Sequence, residues 1–391
     1  MRRTVFDTEH AEFRATMRAF IEAEVVPSFG KWYDDGLVPR EFYYRLGELG
    51  VLGIEAPVRF GGAGRASLTY RTVLAEEIAR AAVSFGGSSA HIARCLPLVN
   101  ALATPAQQAR WLPGIVTGET MFALAVAEPG TGAEPGTGAA AADMRTTAPL
   151  SADGGAYVVN GSKTYVAGGV HADRVIVCAR TAAPRPGDPS YGLSLLVVDT
   201  ASPGFRVGRR LDTLGRKVSG TAELIFTDVR VPADDLLGPP HLAVAHLAGQ
   251  LPSERLGIAV GAYAQAKAAI RFARRHTADR VAFTRPVAAF QNTKFELAAC
   301  RTEVDAIEAV VDRALAAHER GELDAAHAAS AKLFATETAG RVIDRCLQLH
   351  GGAGYLTDSP IARLYADHRI DRLQGGTSDV LRTIVATDMG L

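Results

Sequence analysis

Two kinds of residue in this chain could do chemistry: glycine-rich turns that let backbone approach a phosphate, and charged side chains beside apolar helical runs. Ala127-Glu-Pro-Gly-Thr-Gly132 is followed at once by Ala133-Glu-Pro-Gly-Thr-Gly138, a tandem repeat. Gly136, Gly138 and Ala141 fit the loose dinucleotide fingerprint. That fingerprint works only with a strand directly before it and a helix directly after, so that pyrophosphate meets a helix N-terminus. Here a Pro/Gly loop precedes it and a β-rich stretch follows, which excludes a Rossmann site. The repeat reads as a duplication in a surface loop. Taken alone, Glu254 suits a helix start, where an acid complements the dipole, and Arg280 suits a solvated helix charge. Cys95, Cys178, Cys300 and Cys346 are scattered in apolar contexts. They read as buried reduced thiols of a cytoplasmic protein, not as a disulfide framework or a metal site.

The elements that must position these residues fall into three blocks, a multi-domain α+β plan over 391 residues. Residues 1–120 read as a helical domain. Phe13, Met17, Phe20, Ile21 and Val25 share one helical face, Asp7 or Thr8 caps its start, and Pro27 ends it. Further helices fit Arg40 to Leu49, Thr69 to Ala82 and Pro105 to Leu112. Residues 121–237 carry short β-branched runs (Ala156–Val159, Arg174–Cys178, Leu193–Val198, Ala222–Phe226) separated by Gly, Pro and Asp, which predicts a β-barrel or sandwich. Residues 238–391 return to long Ala-rich helices, Leu256 to Arg275, Ala289 to Glu319 and Asp324 to Leu349, with a last helix over Ser378 to Met389. These predict a four-helix bundle. With 42 basic and 42 acidic residues, the chain lacks the basic excess of a nucleic-acid binder. No stretch approaches the roughly 18–20 apolar residues of a membrane span. The first residues, MRRTVFDTEHAEF, lack the apolar core of a signal peptide.

Six segments in order resemble the acyl-CoA dehydrogenase family. They are Phe122–Gly132, Val159-Asn-Gly-Ser-Lys-Thr-Tyr-Val-Ala-Gly168, Thr221–Pro232, Arg280-Val-Ala-Phe-Thr-Arg-Pro-Val-Ala-Ala-Phe-Gln291, Leu347-Gln-Leu-His-Gly-Gly-Ala-Gly-Tyr355 and Gly375-Gly-Thr-Ser-Asp379. Together they span most of the chain. The resemblance implies non-covalent FAD, a homo-oligomer (dimer or tetramer), and oxidation of an acyl thioester at adjacent carbons.

That reaction needs a base against the α-carbon, donors on the thioester carbonyl as it gains enolate character, and a hydride acceptor. Much of the family carries the base as the Glu of a C-terminal Glu-Gly-Thr motif, where this chain has Gly375-Gly376-Thr377. The long-chain and isovaleryl branches carry it on a C-terminal-domain helix, in a Glu-Arg pair before an apolar run. Here that pair is Glu254-Arg255, so the resemblance implies Glu254 as base. Arg255 would lie near the thioester or in a structural salt bridge. The backbone N–H at Gly375 would serve as carbonyl donor.

For FAD, the resemblance implies Arg280, Phe283 and Gln291 on a dinucleotide held mainly by the neighbouring subunit. It also implies Gln348, Gly351 and Gly352 at the adenosine diphosphate half, and Thr377 and Asp379 on the pyrophosphate side. At the flavin ring the chain departs from the family: Ala127 (or Ala133, if the second repeat copy takes that place) and Ala167 stand where hydroxyl residues are usual. Tyr165 can still stack on the ring. The readings that follow are dehydrogenation of an acyl-CoA, with electrons passing to an electron-transfer flavoprotein or other acceptor; the same reaction on an acyl carrier protein; a flavin oxidase or monooxygenase; and a non-catalytic partner subunit.

Overall fold

The computed structural model describes residues 3–65, 67–130 and 143–391. The second copy of the repeat, with Ala133, Gly136, Gly138 and Ala141, lies outside them. Helix α1 (Thr8–Phe20) opens on Asp7, whose side chain accepts from the His10 N–H in a capping box. Pro27 does not end the helical run. A π turn over Ile21–Val25 shifts the bonding register, Val26 N–H reaching Ile21 O, and α2 (Val26–Asp35) continues with Pro27 in its first turn. A proline brings no N–H, so it fits the first turn of a new segment. After α3 (Arg40–Glu48) and α4 (Leu68–Ala81), the same device recurs. The π turn His91–Cys95 leads into α5 (Leu96–Leu102), with a proline in its first turn. Helix α6 (Pro105–Thr117) follows, capped by Thr104.

The strands then form two sheets. Strands β1 (Phe122–Ala125), β3 (Arg174–Arg180), β4 (Leu193–Asp199) and β7 (Leu236–Leu237) pair in the order β1-β3-β4-β7, with β1 parallel to β3. Strands β2 (Ala156–Val166), β6 (Ala222–Pro232) and β5 (Phe205–Arg210) form the second sheet in that order. No ladder among the described residues joins them, so of the expected barrel or sandwich the domain is the sandwich, two facing sheets. Val175, Val177, Leu196 and Val198 of the first meet Val159, Leu224, Phe226 and Val229 of the second. The other face of the first sheet, Ile176, Cys178, Leu195 and Val197, packs on Leu96, Trp111 and Leu112. Burial on both faces is why β3 and β4 read as continuous apolar runs instead of alternating.

Helix α7 runs unbroken from Ala243 to Asp279, past Pro252. The sequence pattern places its start thirteen residues later, at Leu256, so Glu254 lies inside a helix and not at its beginning. Helices α8 (Gln291–Glu319), α9 (Ala325–Gln348, capped by Asp324) and α11 (Ser378–Asp388, capped by Thr377) complete the bundle, with α10 (Pro360–His368) between the last two. Ala259, Ala262, Ala266, Ala269 and Ala273 on α7 share a core with Ala331, Ala335, Ala339 and Val342 on α9. Small side chains at three- and four-residue spacing let the two helices lie close. All four cysteines are buried free thiols, and Cys300 on α8 shares a core with Cys346 on α9. No helix among the described residues is long and apolar enough to cross a membrane.

Candidate active site

Glu254 projects from α7 toward the π turn His91–Cys95. Arg94, on that turn, donates to Glu254 Oε1 from Nε at 2.9 Å and also from Nη2. The turn is fixed from behind by a fully buried His91, whose Nδ1 accepts from the Phe122 N–H at 2.9 Å. That bond ties the helical domain to the first strand of the β domain. It also sets a pH dependence, because burial lowers the His91 pKa to about 4 from an ordinary 6.5. A folded pKa below the unfolded one means stability is present above pH 6.5 and is lost as pH falls toward 4. Thermal unfolding followed from pH 7 to 4 is expected to lose about 3 kcal/mol from this group. His91→Gln should flatten that segment, and an unchanged profile in the variant would remove His91 as its source.

Gly375 lies against the same carboxylate. Its φ is +64°, and a Cβ placed there would meet Ile258 Cδ1 at 2.7 Å and Glu254 Oε1 at 3.6 Å. Glu254 and Ile258, one turn apart on α7, thus fill the space a side chain at 375 would need. The positive φ and the isoleucine both favour glycine. A carboxylate supplied from the helix and one supplied from the turn are therefore alternatives for one volume.

Behind the turn lie two buried cations. Arg255 Nε donates to the Gly375 carbonyl at 3.0 Å, which turns its guanidinium under the loop. Lys332 of α9, wholly buried, donates from Nζ to the carbonyls of Gln374 and Gly376. Sequence reasoning did not single out Lys332. Its one signal was a lysine inside the apolar run Ala328-Ala-Ser-Ala-Lys-Leu-Phe-Ala335.

The first two motifs meet through a second group that sequence reasoning missed. The buried Glu128 carboxylate accepts from Lys163 Nζ at 2.8 Å, from the Arg145 N–H at 2.7 Å and from the Thr146 N–H at 2.9 Å. Burial opposes its charge, but the Lys163 ammonium and the donors outweigh that and hold the carboxyl below the ordinary range. Alongside, Thr164 N–H donates to Ala127 O at 2.9 Å. The β2–β6 register shifts between Lys163 and Val166, and Tyr165 takes a φ of +57° at this bulge. A bulge re-aims a side chain, and here it leaves the Tyr165 ring 69% exposed. Ala167 follows, half-buried, and Gly168 packs so tightly on Gly87 that a Cβ on Gly87 would meet its Cα at 2.6 Å.

Of the remaining predicted residues, Thr377 and Asp379 follow the Gly375 turn, and the others lie toward the far end of α7. Arg280, Phe283, Gln291, Gln348, Gly351, Gly352, Thr377 and Asp379 are all exposed. Arg280 opens a hairpin, β8 (Val281–Ala282) and β9 (Arg285–Pro286), whose tip residues Phe283 and Thr284 both have positive φ. Phe283 is 88% exposed there. The hairpin and the Gln348–Gly352 turn are brought together by His276 stacked on His350, 4.5 Å between ring centres. No described residue pairs with the Arg280 guanidinium. Glu254 and Arg280 sit on one helix, separated by roughly 39 Å at 1.5 Å per residue, so they are not brought together within one protomer. Thr377 caps α11 through the Val380 N–H, and Asp379 pairs with Arg382.

A helical, β and helical arrangement with a carboxylate facing a glycine turn defines a class, and comparison with known proteins gives the same one. Residues 7–119, 123–229 and 245–390 match the N-terminal, middle and C-terminal domain models of acyl-CoA dehydrogenases. The chain is 35% identical over 387 residues to the mitochondrial long-chain specific acyl-CoA dehydrogenase of Sus scrofa, covering 99% of this chain and 88% of that protein. It superposes on the crystal structure of an acyl-CoA dehydrogenase from Geobacillus kaustophilus with a TM-score of 0.93 at 35% identity, covering 100% of both chains. Butyryl-CoA dehydrogenase from Megasphaera elsdenii gives a TM-score of 0.90 at 28% identity, covering 99% of each. The chain belongs to the acyl-CoA dehydrogenase family, flavoprotein oxidoreductases acting on CH–CH groups.

Proposed function

We propose that this protein binds FAD and oxidises an acyl-CoA to its trans-2-enoyl thioester, with Glu254 as the α-proton base. The observation that carries the reading is the placement of the Glu254 carboxylate in the volume a side chain at 375 would occupy. Arg94 donates twice to Oε1. This fixes the carboxylate and directs Oε2 to the α-hydrogen. The Gly375 N–H holds the thioester carbonyl. Arg255, buried on the Gly375 carbonyl, positions the turn in this reading and does not touch substrate.

The residues present fit FAD. Tyr165 offers an exposed ring face beside Ala127 and Ala167, while Arg280 and the Gln348–Gly352 turn offer an exposed cation and open backbone for a pyrophosphate. When bound, the flavin supplies the acceptor for the β-hydride. The span along α7 supports the reading that Arg280 serves a dinucleotide whose ring lies at another protomer's Glu254. In this reading the complete site is shared within a homo-oligomer. The proposed electron acceptor is an electron-transfer flavoprotein, and the proposed compartment is the cytoplasm, supported by the four free thiols.

Ala127 and Ala167 offer the ring no hydroxyl. One hydrogen bond is worth about 0.5–1.5 kcal/mol, so Ala167→Thr is expected to tighten FAD roughly 2- to 10-fold. Titration of apoprotein with FAD checks this, and equal affinities would exclude position 167 from the ring contact. The function itself is tested by anaerobic mixing with acyl-CoA and acyl-carrier-protein thioesters of varied length and branching. Flavin bleaching with formation of a 2-enoyl-CoA is expected. Bleaching only with carrier-protein substrates would redirect the substrate assignment, and peroxide formation without added acceptor would make the protein an oxidase.

A further inference from the structure

The turn that carries Gly375 is held in an unusual way. Three successive carbonyls, those of Gln374, Gly375 and Gly376, accept from two buried cations, Lys332 taking the outer two and Arg255 the middle one. A trans peptide is planar, so its C=O and N–H point in opposite directions, and the described residues hold no cis peptide. The Gln374 carbonyl and the Gly375 N–H belong to one such unit. With the carbonyl drawn to Lys332, the N–H faces away from α9. No described residue accepts from the Gly375 N–H or the Gly376 N–H, although both residues are buried. A buried donor without a protein acceptor calls for a partner, and a substrate carbonyl is one that fits here.

We propose that Lys332 is a positioning residue for the thioester carbonyl: from behind the turn it aims and polarises the Gly375 N–H. This rests on the reading of the site given above. Its physics is that of a hydrogen-bond chain. Charge on the acceptor end of a peptide unit draws electron density through the amide and strengthens the donor at the other end. The substrate carbonyl gains most as it becomes enolate-like, because the donor is preorganised where negative charge develops. Lys332 does not touch substrate. A methionine there keeps a linear side chain in the same buried channel, while a glutamine restores one donor without the charge.

The test uses the FAD-loaded holoenzyme and a 3-thiaacyl-CoA carrying a heavy-isotope label at the carbonyl, whose β-sulfur cannot release a hydride. Infrared difference spectra read the carbonyl stretch, and steady-state kinetics with an oxidisable acyl-CoA read kcat and KM separately. The wild type is expected to lower the bound stretch relative to free ligand. Lys332→Met is expected to return it toward the free value and to lower kcat by roughly tenfold, with FAD content retained. Lys332→Gln should fall between, and it carries the test if the methionine variant does not fold. A folded, FAD-loaded variant with the wild-type stretch and kcat overturns the role of Lys332 alone. Absence of any shift in the wild type overturns the reading of the site as well.

Discussion

Glu254→Gln is expected to cut anaerobic flavin reduction by acyl-CoA by roughly 10²–10⁴-fold, the range for loss of a positioned general base. FAD content and thioester affinity should change little, because glutamine keeps the size of the side chain and can still accept from Arg94. The carboxylate has no substitute in the turn. Gly375 bears no side chain, and its φ of +64° with Ile258 Cδ1 at 2.7 Å from a notional Cβ disfavours gaining one. Rapid mixing of the variant with substrate reads the rate directly. A wild-type rate would mean that another group takes the proton.

The second large effect concerns stability. Lys163→Met removes the ammonium paired with the buried Glu128 carboxylate, and breaking a buried pair from one side costs about 3–5 kcal/mol. The loss should reach the flavin face, since Lys163 also donates to Val126 O at 3.0 Å, and the neighbouring Thr164 N–H holds Ala127. Chemical denaturation and FAD retention should fall together. Replacing both partners, Lys163→Met with Glu128→Leu, should recover part of the loss because no lone charge remains. Equal stability of wild type and Lys163→Met would show the pair to be dispensable.

How much of this was legible in the sequence depended on whether the signal was local. Asp7, read from the sequence as a cap, does cap the helix that follows it, and caps act within one turn of chain. Long Ala-rich helices announced themselves by period, and the strands by short β-branched runs between Gly, Pro and Asp. The π turns did not, because Pro27 reads as a stop unless the register shift before it is known. Strand composition reports that strands exist and says nothing about which edges pair, so it left barrel and sandwich both open, and the pairing makes the domain two facing sheets. At the site, Glu254 became visible only through the absence of a carboxylate at Gly375. Lys332, Glu128 and Arg94 act through partners from 17 to more than 150 residues away, and no spacing pattern encodes such contacts. Their common trait is a charge inside an apolar or glycine-rich run, a signal too general to assign a role without the fold.

The central claim is that Glu254 removes the α-proton of a bound acyl thioester. The most direct measurement is exchange of that proton with solvent deuterium, using a 3-thiaacyl-CoA so that hydride transfer plays no part. The wild-type holoenzyme is predicted to wash deuterium into the α-carbon, and Glu254→Gln, with FAD and ligand bound, is predicted not to. Exchange at the same rate in both would contradict the account.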